Sequence, residues 1–209
     1  GIQVVNAAGM NANAVAELAV AMILNCLRGI PELNRKLTDG QWSRAVGRDL
    51  LGKTVGLLGF GDIGGRVAKK LSGFEVRLLA YDPYPNREKA AALGVTLTDL
   101  DTVLTQSDIL SIHMPSIPAT RHVMNRETFA KMKPDSYFIN TARGALVDTQ
   151  ALVDAVAGGH LAGAAVDVYE QEPLPMGAPI LHTPGIQCIP HAGAETRETY
   201  SNISMMTAQ

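Results

Sequence analysis

Short β-rich apolar runs alternate with helical patterns along most of the chain, and that alternation limits the folds open to it. Strand candidates lie at residues 3–5, 54–58, 76–81, 109–113, 137–140, 164–168 and 186–189. Between them the spacing predicts helices near residues 14–27, 63–71, 88–93, 101–105, 127–132 and 150–156. Asn125 and Asp148 are placed to cap two of these helices. Ile63, Val67 and Leu71 recur at four-residue spacing and form one apolar stripe for packing on a sheet. Apolar strands joined through helices imply βαβ crossovers and a mostly parallel sheet covered on both faces. The expected fold class is therefore α/β, a doubly wound parallel sheet. A proline-rich loop at residues 172–184 breaks the pattern, and residues 196–209 then start like a helix.

Composition excludes several classes of function. A net charge of -2 argues against a nucleic-acid partner. The longest apolar run, residues 15–27, is interrupted by Glu17, Asn25 and Cys26, too early for a membrane span. No secretory signal is visible. Cys26 and Cys188 are too few for a disulfide framework or a zinc site, so no metal is expected, and reduced thiols fit a cytoplasmic protein.

The stretch TVGLLGFGDIGGRVAKKL places Gly59, Gly61 and Gly64 in G-x-G-x-x-G spacing between an apolar strand and an amphipathic helix. Gly59 permits the tight turn, Gly61 lets the backbone approach a pyrophosphate, and Gly64 lets the helix pack close to the strand. The helix N-terminus offers free N–H groups and a positive dipole end to the phosphates. Asp82, 18 residues after Gly64, can accept both ribose hydroxyls of NAD and would repel the 2′-phosphate of NADP. NAD is the cofactor expected. Asp62 fits the loop only if its carboxylate turns to solvent.

Ligands of doubly wound sheets sit outside the carboxyl ends of the strands. Arg143 follows the strand in YFINTARG, Glu172 lies just past AAVDV, and His191 follows IQCIP. A guanidinium can grip a substrate carboxylate and polarise the neighbouring C2 oxygen. An imidazole can exchange a proton with that oxygen as hydride moves to or from nicotinamide. A carboxylate beside the imidazole favours its charged form and fixes its tautomer. Taken singly, each has a dull reading as a surface charge, a solvated turn or a structural histidine.

At these residues the sequence resembles the D-isomer-specific 2-hydroxyacid dehydrogenase family. The stretches that carry the likeness are NANAVAELAVAMIL, GKTVGLLGFGDIG, AYDPY, SIHMPSIPATRHVMN, FAKMKPDSYFINTARGALVD, AGAAVDVYEQEP and IPHAGAET, in the family's order. Their wording is nearest the family's D-3-phosphoglycerate dehydrogenase branch. The resemblance implies Arg143, Glu172 and His191 as the catalytic trio, with Arg143 and His191 touching both cofactor and substrate. It implies that Asp167 holds the nicotinamide carboxamide and that His113, Pro115 and Thr120 lie along the cofactor. It further implies that Thr141 and Ala142 line the same cleft, that Asp62, Ile63 and Gly193 border the cofactor, and that Asn11 lies near the substrate. His122, His160 and His182 have no role in the pattern and read as loop or surface residues. Glu75 stands where the pattern usually has glycine.

The resemblance also divides the chain into a nucleotide-binding domain, residues 1–190, and the start of a return segment, residues 191–209. Family members carry about a hundred further residues before this point, which form most of a flavodoxin-like substrate domain. A chain opening on Gly1 fits a piece of a longer protein, expected to bind NAD(H) and turn over poorly alone. The helix at residues 14–27 corresponds to a subunit-interface helix, so a homodimer is expected. The expected function is hydride transfer between NAD and C2 of a D-2-hydroxy acid, 3-phosphoglycerate among the candidates. An NAD(H)-sensing module of the corepressor type is the alternative.

Overall fold

The computed structural model describes residues 9–207. Among these residues seven strands make one sheet: β1 (Thr54–Leu58), β2 (Arg77–Tyr81), β3 (Val95–Leu97), β4 (Ile109–Ile112), β5 (Ser136–Asn140), β6 (Leu161–Val166) and β7 (Ile186–Cys188). Every neighbouring pair is parallel, in the order β3-β2-β1-β4-β5-β6-β7. The chain runs outward from β1 to β3, then returns to lay β4 on the other side of β1. That reversal opens a crevice at the carboxyl ends of β1 and β4.

The described helices are α1 (Ala12–Arg28), α2 (Ile30–Thr38), α3 (Asp62–Leu71), α4 (Arg87–Ala92), α5 (Leu100–Gln106), α6 (Arg126–Lys131), α7 (Thr149–Ala157), α8 (Pro179–His182) and α9 (Arg197–Thr207). Alternate strand residues feed two separate cores. Val55, Leu57, Leu78, Ile109 and Ile139 pack under Met22 and Ile23 of α1 and Val67 and Leu71 of α3. Leu58, Leu79, Leu110, Ile112 and Phe138 pack on the opposite face against Val103, Leu104, Phe129 and Leu152. Both faces are dry, which is why these strands read as continuous apolar runs. Phe129 and Phe138 meet edge to face, with centroids 5.2 Å apart.

Asn125 and Asp148 cap α6 and α7 as expected, accepting from Thr128 N–H and Ala151 N–H. The strand expected at residues 3–5 lies outside the described residues. The three-residue β3 was not expected, because so short a run carries no readable period; it forms where α4 returns the chain to pair Val95 with Leu78. The strand expected at 164–168 instead begins at Leu161 and ends at Val166, which leaves Asp167 in the loop above the sheet. Gly29, at φ 59°, ends α1 and turns the chain by 63° into α2, a helix the spacing did not suggest. α8 was hidden in the proline-rich loop. No single helix among the described residues is long and apolar enough to cross a membrane.

Glu75, noted above as a departure from the pattern the sequence resembles, sits at φ 56°. This left-handed backbone costs a residue with a Cβ about 1–2 kcal/mol. Glu75→Gly is expected to raise the unfolding free energy by up to about 1 kcal/mol, the relief of strain exceeding the entropy added to the unfolded chain. Glu75→Val is expected to lower it by about 1 kcal/mol or more. Urea unfolding of the three proteins measures both.

Candidate active site

Because all strands run the same way, their carboxyl ends bring distant loops to one edge. A cleft of about 540 Å³ opens there. Its walls include Asn11, Asp62, Ile63, His113, Pro115, Thr141, Ala142, Arg143, Asp167, His191 and Gly193, all expected at the site. Thr120 is not among them. Its hydroxyl donates to the Pro115 carbonyl at 2.7 Å and accepts from Ile117 N–H at 3.0 Å, so it shapes the loop that presents Pro115.

The glycine loop turns from β1 into α3. Gly59 adopts φ 95°, and a Cβ there would stand 2.8 Å from the His113 carbonyl carbon. A Cβ on Gly64 would meet the Gly59 carbonyl oxygen at 2.3 Å, whereas one on Gly61 would meet nothing within 4 Å, because that position faces open space. Asp82, just past β2, accepts Phe60 N–H at 2.7 Å and Tyr84 N–H at 2.8 Å. It thus ties the loop to its neighbouring strand, with further lone pairs left on each oxygen for ribose hydroxyls. Asp62 turns outward as anticipated and takes a hydrogen bond from Arg66 Nε at 3.0 Å.

Among the described residues two buried polar side-chain atoms have no partner, and both residues line this cleft: His113 Nδ1 and Thr141 Oγ1. Such orphans are costly unless a ligand or water satisfies them. His113 Nε2 lies 3.0 Å from Ser111 Oγ, and burial pushes the His113 pKa down to about 4. Asn11 stands at the N-cap of α1, yet its side chain makes no cap bond and is left to the cleft.

His191, at φ 50°, is held by its backbone N–H on the Asp167 carbonyl at 2.8 Å. The Asp167 carboxylate accepts from Ala192 N–H at 2.6 Å and Gly193 N–H at 2.9 Å. Burial raises the Asp167 pKa despite these bonds. One buried carboxylate therefore joins the end of β6 to the loop after β7. His191 Nδ1 is 2.6 Å from Glu172 Oε2, and Tyr169 N–H donates to Glu172 Oε1 at 2.9 Å. Burial pushes the Glu172 pKa upward, but these hydrogen bonds and the charges of His191 and Arg143 outweigh it and hold it below the ordinary value. That leaves Nε2 as the ring nitrogen available to a substrate. Arg143 is exposed, and among the described residues its guanidinium makes one hydrogen bond, to the Ala142 carbonyl at 2.6 Å.

Several supporting residues were not singled out from the sequence. Asn140 donates to the Arg143 carbonyl at 3.0 Å and accepts from Ala142 N–H at 3.0 Å, a polar bridge across the turn that presents Arg143. Gly144 lies so close to the next loop that a Cβ would stand 1.9 Å from the Tyr169 carbonyl carbon. His122, read as a loop residue, pairs with Glu170 at 2.6 Å, and Glu170 also accepts from Thr149 Oγ1 at 2.8 Å. The asparagine before a turn was a readable signal; the contacts between loops were not. Among the described residues no group of three or more His, Cys, Asp or Glu could hold a metal ion. Burial pushes the Cys26 thiol up to about 12, so it is a packing residue.

Residues 20–193 match the family model described as D-isomer specific 2-hydroxyacid dehydrogenase, NAD binding domain. The chain belongs to this family. It is 41% identical over 211 residues to a D-3-phosphoglycerate dehydrogenase of Archaeoglobus fulgidus, covering 100% of this chain and 40% of the relative. It is 42% identical over 216 residues to a glyoxylate reductase of Thermofilum pendens, covering 100% and 64%. The crystal structure of D-lactate dehydrogenase with NAD+ from Lactobacillus jensenii matches with a TM-score of 0.89 at 30% identity, covering 99% of this chain and 67% of that one. The chain thus spans well under two thirds of one curated relative and just under two thirds of the other.

The chain is a Rossmann-type domain of an NAD-binding family, and its residues fit the cofactor. The orphans on His113 and Thr141 line one cleft together with Asp62 and Ile63 at the start of α3, and Gly61, one residue earlier, leaves open space at the loop.

His113 also makes stability depend on pH. Its folded pKa lies below the unfolded value, so the unfolded chain binds more protons between pH 6.5 and about 4. The stabilisation from keeping this ring neutral is complete above pH 6.5 and is lost as pH falls toward 4, a change of up to about 3 kcal/mol. His113→Gln is expected to flatten the unfolding free energy across that window; an unchanged slope in urea titrations would contradict it.

Proposed function

We propose that this chain is the cofactor domain of an NAD-dependent oxidoreductase that moves hydride between NAD and C2 of a D-2-hydroxy acid. The observation that carries the reading is the His191–Glu172 pair at 2.6 Å beside a cleft that Arg143 also enters. When bound, NAD supplies the site that takes or returns the hydride. Arg143 binds the substrate carboxylate through its fork of N–H donors. His191 Nε2 takes the C2 hydroxyl proton during oxidation and returns it during reduction. Glu172, kept ionised, steadies the imidazolium and fixes Nδ1 as its donor. Asp82 receives the adenosine ribose and favours NAD over NADP, Asp167 receives the nicotinamide carboxamide, and Asn11 approaches the substrate. His113, Pro115, Thr141, Ala142 and Gly193 border the cofactor, and Thr120 acts through Pro115.

The relatives' names support 3-phosphoglycerate as the first candidate substrate, with glyoxylate, in the reducing direction, as a second. Residues 191–209 would begin the return toward a substrate domain, with α9 capped by Thr196, whose Oγ1 accepts Thr199 N–H at 3.1 Å. The two free cysteines accord with a cytoplasmic setting. We further propose a homodimer through α1. Its inner face packs on its own sheet, while Val20 and Leu24 are only half-buried and Ala21 is exposed, and the chain that follows exposes Ile30, Leu37 and Trp42, the last 86% exposed. Light scattering at micromolar concentration should give twice the chain mass; a monomer would contradict the dimer.

The activity is tested on the intact enzyme, with NADH and a panel of 2-keto acids that includes glyoxylate and 3-phosphohydroxypyruvate. His191→Ala and Arg143→Ala are each expected to lower turnover by about 10²–10⁴-fold. NADH affinity should stay within about threefold. Full activity in either variant would refute the trio, and tight NADH binding with no turnover on any keto acid would favour a sensing module.

A further inference from the structure

The glycine loop has an anchor outside its own strand and helix. Lys89, on α4, donates from Nζ to the Gly61 carbonyl at 2.7 Å, and its ammonium lies 5.3 Å from the centroid of the Phe60 ring. Its stem crosses Gly65, where a Cβ would stand 2.1 Å from Lys89 Cε and 2.2 Å from Nζ. Asn86 caps α4 by accepting the Lys89 backbone N–H at 2.9 Å, which fixes the residue that carries this side chain.

The contact matters because the Gly61 carbonyl and the Asp62 N–H are two ends of one peptide group. α3 begins at Asp62, and its first backbone bond runs from Gly65 N–H to the same Gly61 carbonyl at 3.1 Å. The N–H groups of Asp62, Ile63 and Gly64 precede that bond, so no turn of the helix engages them. An ammonium on the carbonyl holds the plane of the peptide and draws electron density from its nitrogen, which makes the N–H a stronger donor. On the preceding side of the loop, Phe60 N–H is held by Asp82 at 2.7 Å. The loop is therefore clamped by a carboxylate after β2 and by an ammonium from α4. Arg66 draws the Asp62 carboxylate aside, so it does not compete for the same space.

We propose that Lys89 is a positioning residue for the pyrophosphate of NAD: it orients and polarises the Gly61–Asp62 peptide so that the Asp62 N–H donates to a phosphate oxygen. The inference rests on the reading of the glycine loop as the dinucleotide cradle. It assigns Lys89 no direct contact with the cofactor. Lys89→Met keeps the aliphatic stem over Gly65 and removes the donor, whereas Lys89→Arg keeps a cationic donor.

The test is NADH titration of the 209-residue chain and both variants by fluorescence, with thermal unfolding and amide NMR of the free proteins. Lys89→Met is expected to weaken NADH binding by up to about tenfold, because the Asp62 N–H becomes a weaker and less well oriented donor to the phosphate, and Lys89→Arg to recover most of it. Both variants should unfold at the wild-type temperature, and the Asp62 amide proton should move upfield in Lys89→Met. Wild-type affinity in Lys89→Met overturns the assignment and leaves the cradle reading intact. Equal losses in both variants with a lowered unfolding temperature also overturn it, by making Lys89 a packing residue. A wild-type chain that does not bind NADH would overturn the cradle reading and this inference together.

Discussion

Parallel strands cannot be joined by hairpins, and the rest of this domain follows from that constraint. Each strand must be followed by a crossover, so seven strands need covering elements on both faces and expose all their carboxyl ends along one edge. The two cores satisfy the first requirement, with Ile109 and Leu110 sending adjacent side chains into opposite layers. The second gathers Gly59, Asp82, His113, Thr141, Asp167 and His191, widely separated along the chain, at one rim. The reversal of strand order at β1 and β4 then places a crevice where the glycine loop already needs open space.

Local rules made much of this legible. A glycine loop has a fixed spacing between a strand and a helix, and its positions are dictated by neighbours a few residues away. Asp82, Arg143 and His191 are legible because each follows an apolar run that ends in a polar residue. What stayed hidden lies between loops. Gly144 must lack a side chain because the Tyr169 backbone passes against it, and nothing near Gly144 in sequence announces Tyr169. His122 looked idle because its partner, Glu170, is 48 residues away. Nothing in the sequence marked Lys89, because the loop it anchors is 28 residues away. β3 and α8 escaped because elements of three and four residues carry no period to read.

The cleft differs from the cores in how its polar groups are treated. In the cores the polar atoms are paired, as Ser107 Oγ is with the Val103 carbonyl at 2.5 Å. At the rim the pairing is selective. Asp167 and Glu172 spend their oxygens on backbone N–H groups and on His191, which orients the imidazole before any ligand arrives. His113 Nδ1, Thr141 Oγ1 and the guanidinium of Arg143 are left with unused capacity on the walls of the cleft. Preorganised acceptors beside unsatisfied donors are what a charged, polar cofactor and an anionic substrate require. Glu75, in the turn before β2, takes left-handed backbone away from the residues that line the cleft.

The proposed seat of NAD is the rim of the sheet between the glycine loop and His191. Amide and side-chain NMR of the 209-residue chain titrated with NADH tests it most directly. Shifts are expected at Gly59 to Gly64, Asp82, His113, Thr141 to Arg143, Asp167 and His191 to Gly193, with little change elsewhere. Shifts confined to the groove beside β7, at Cys26, Tyr137 and Gln187, would contradict it.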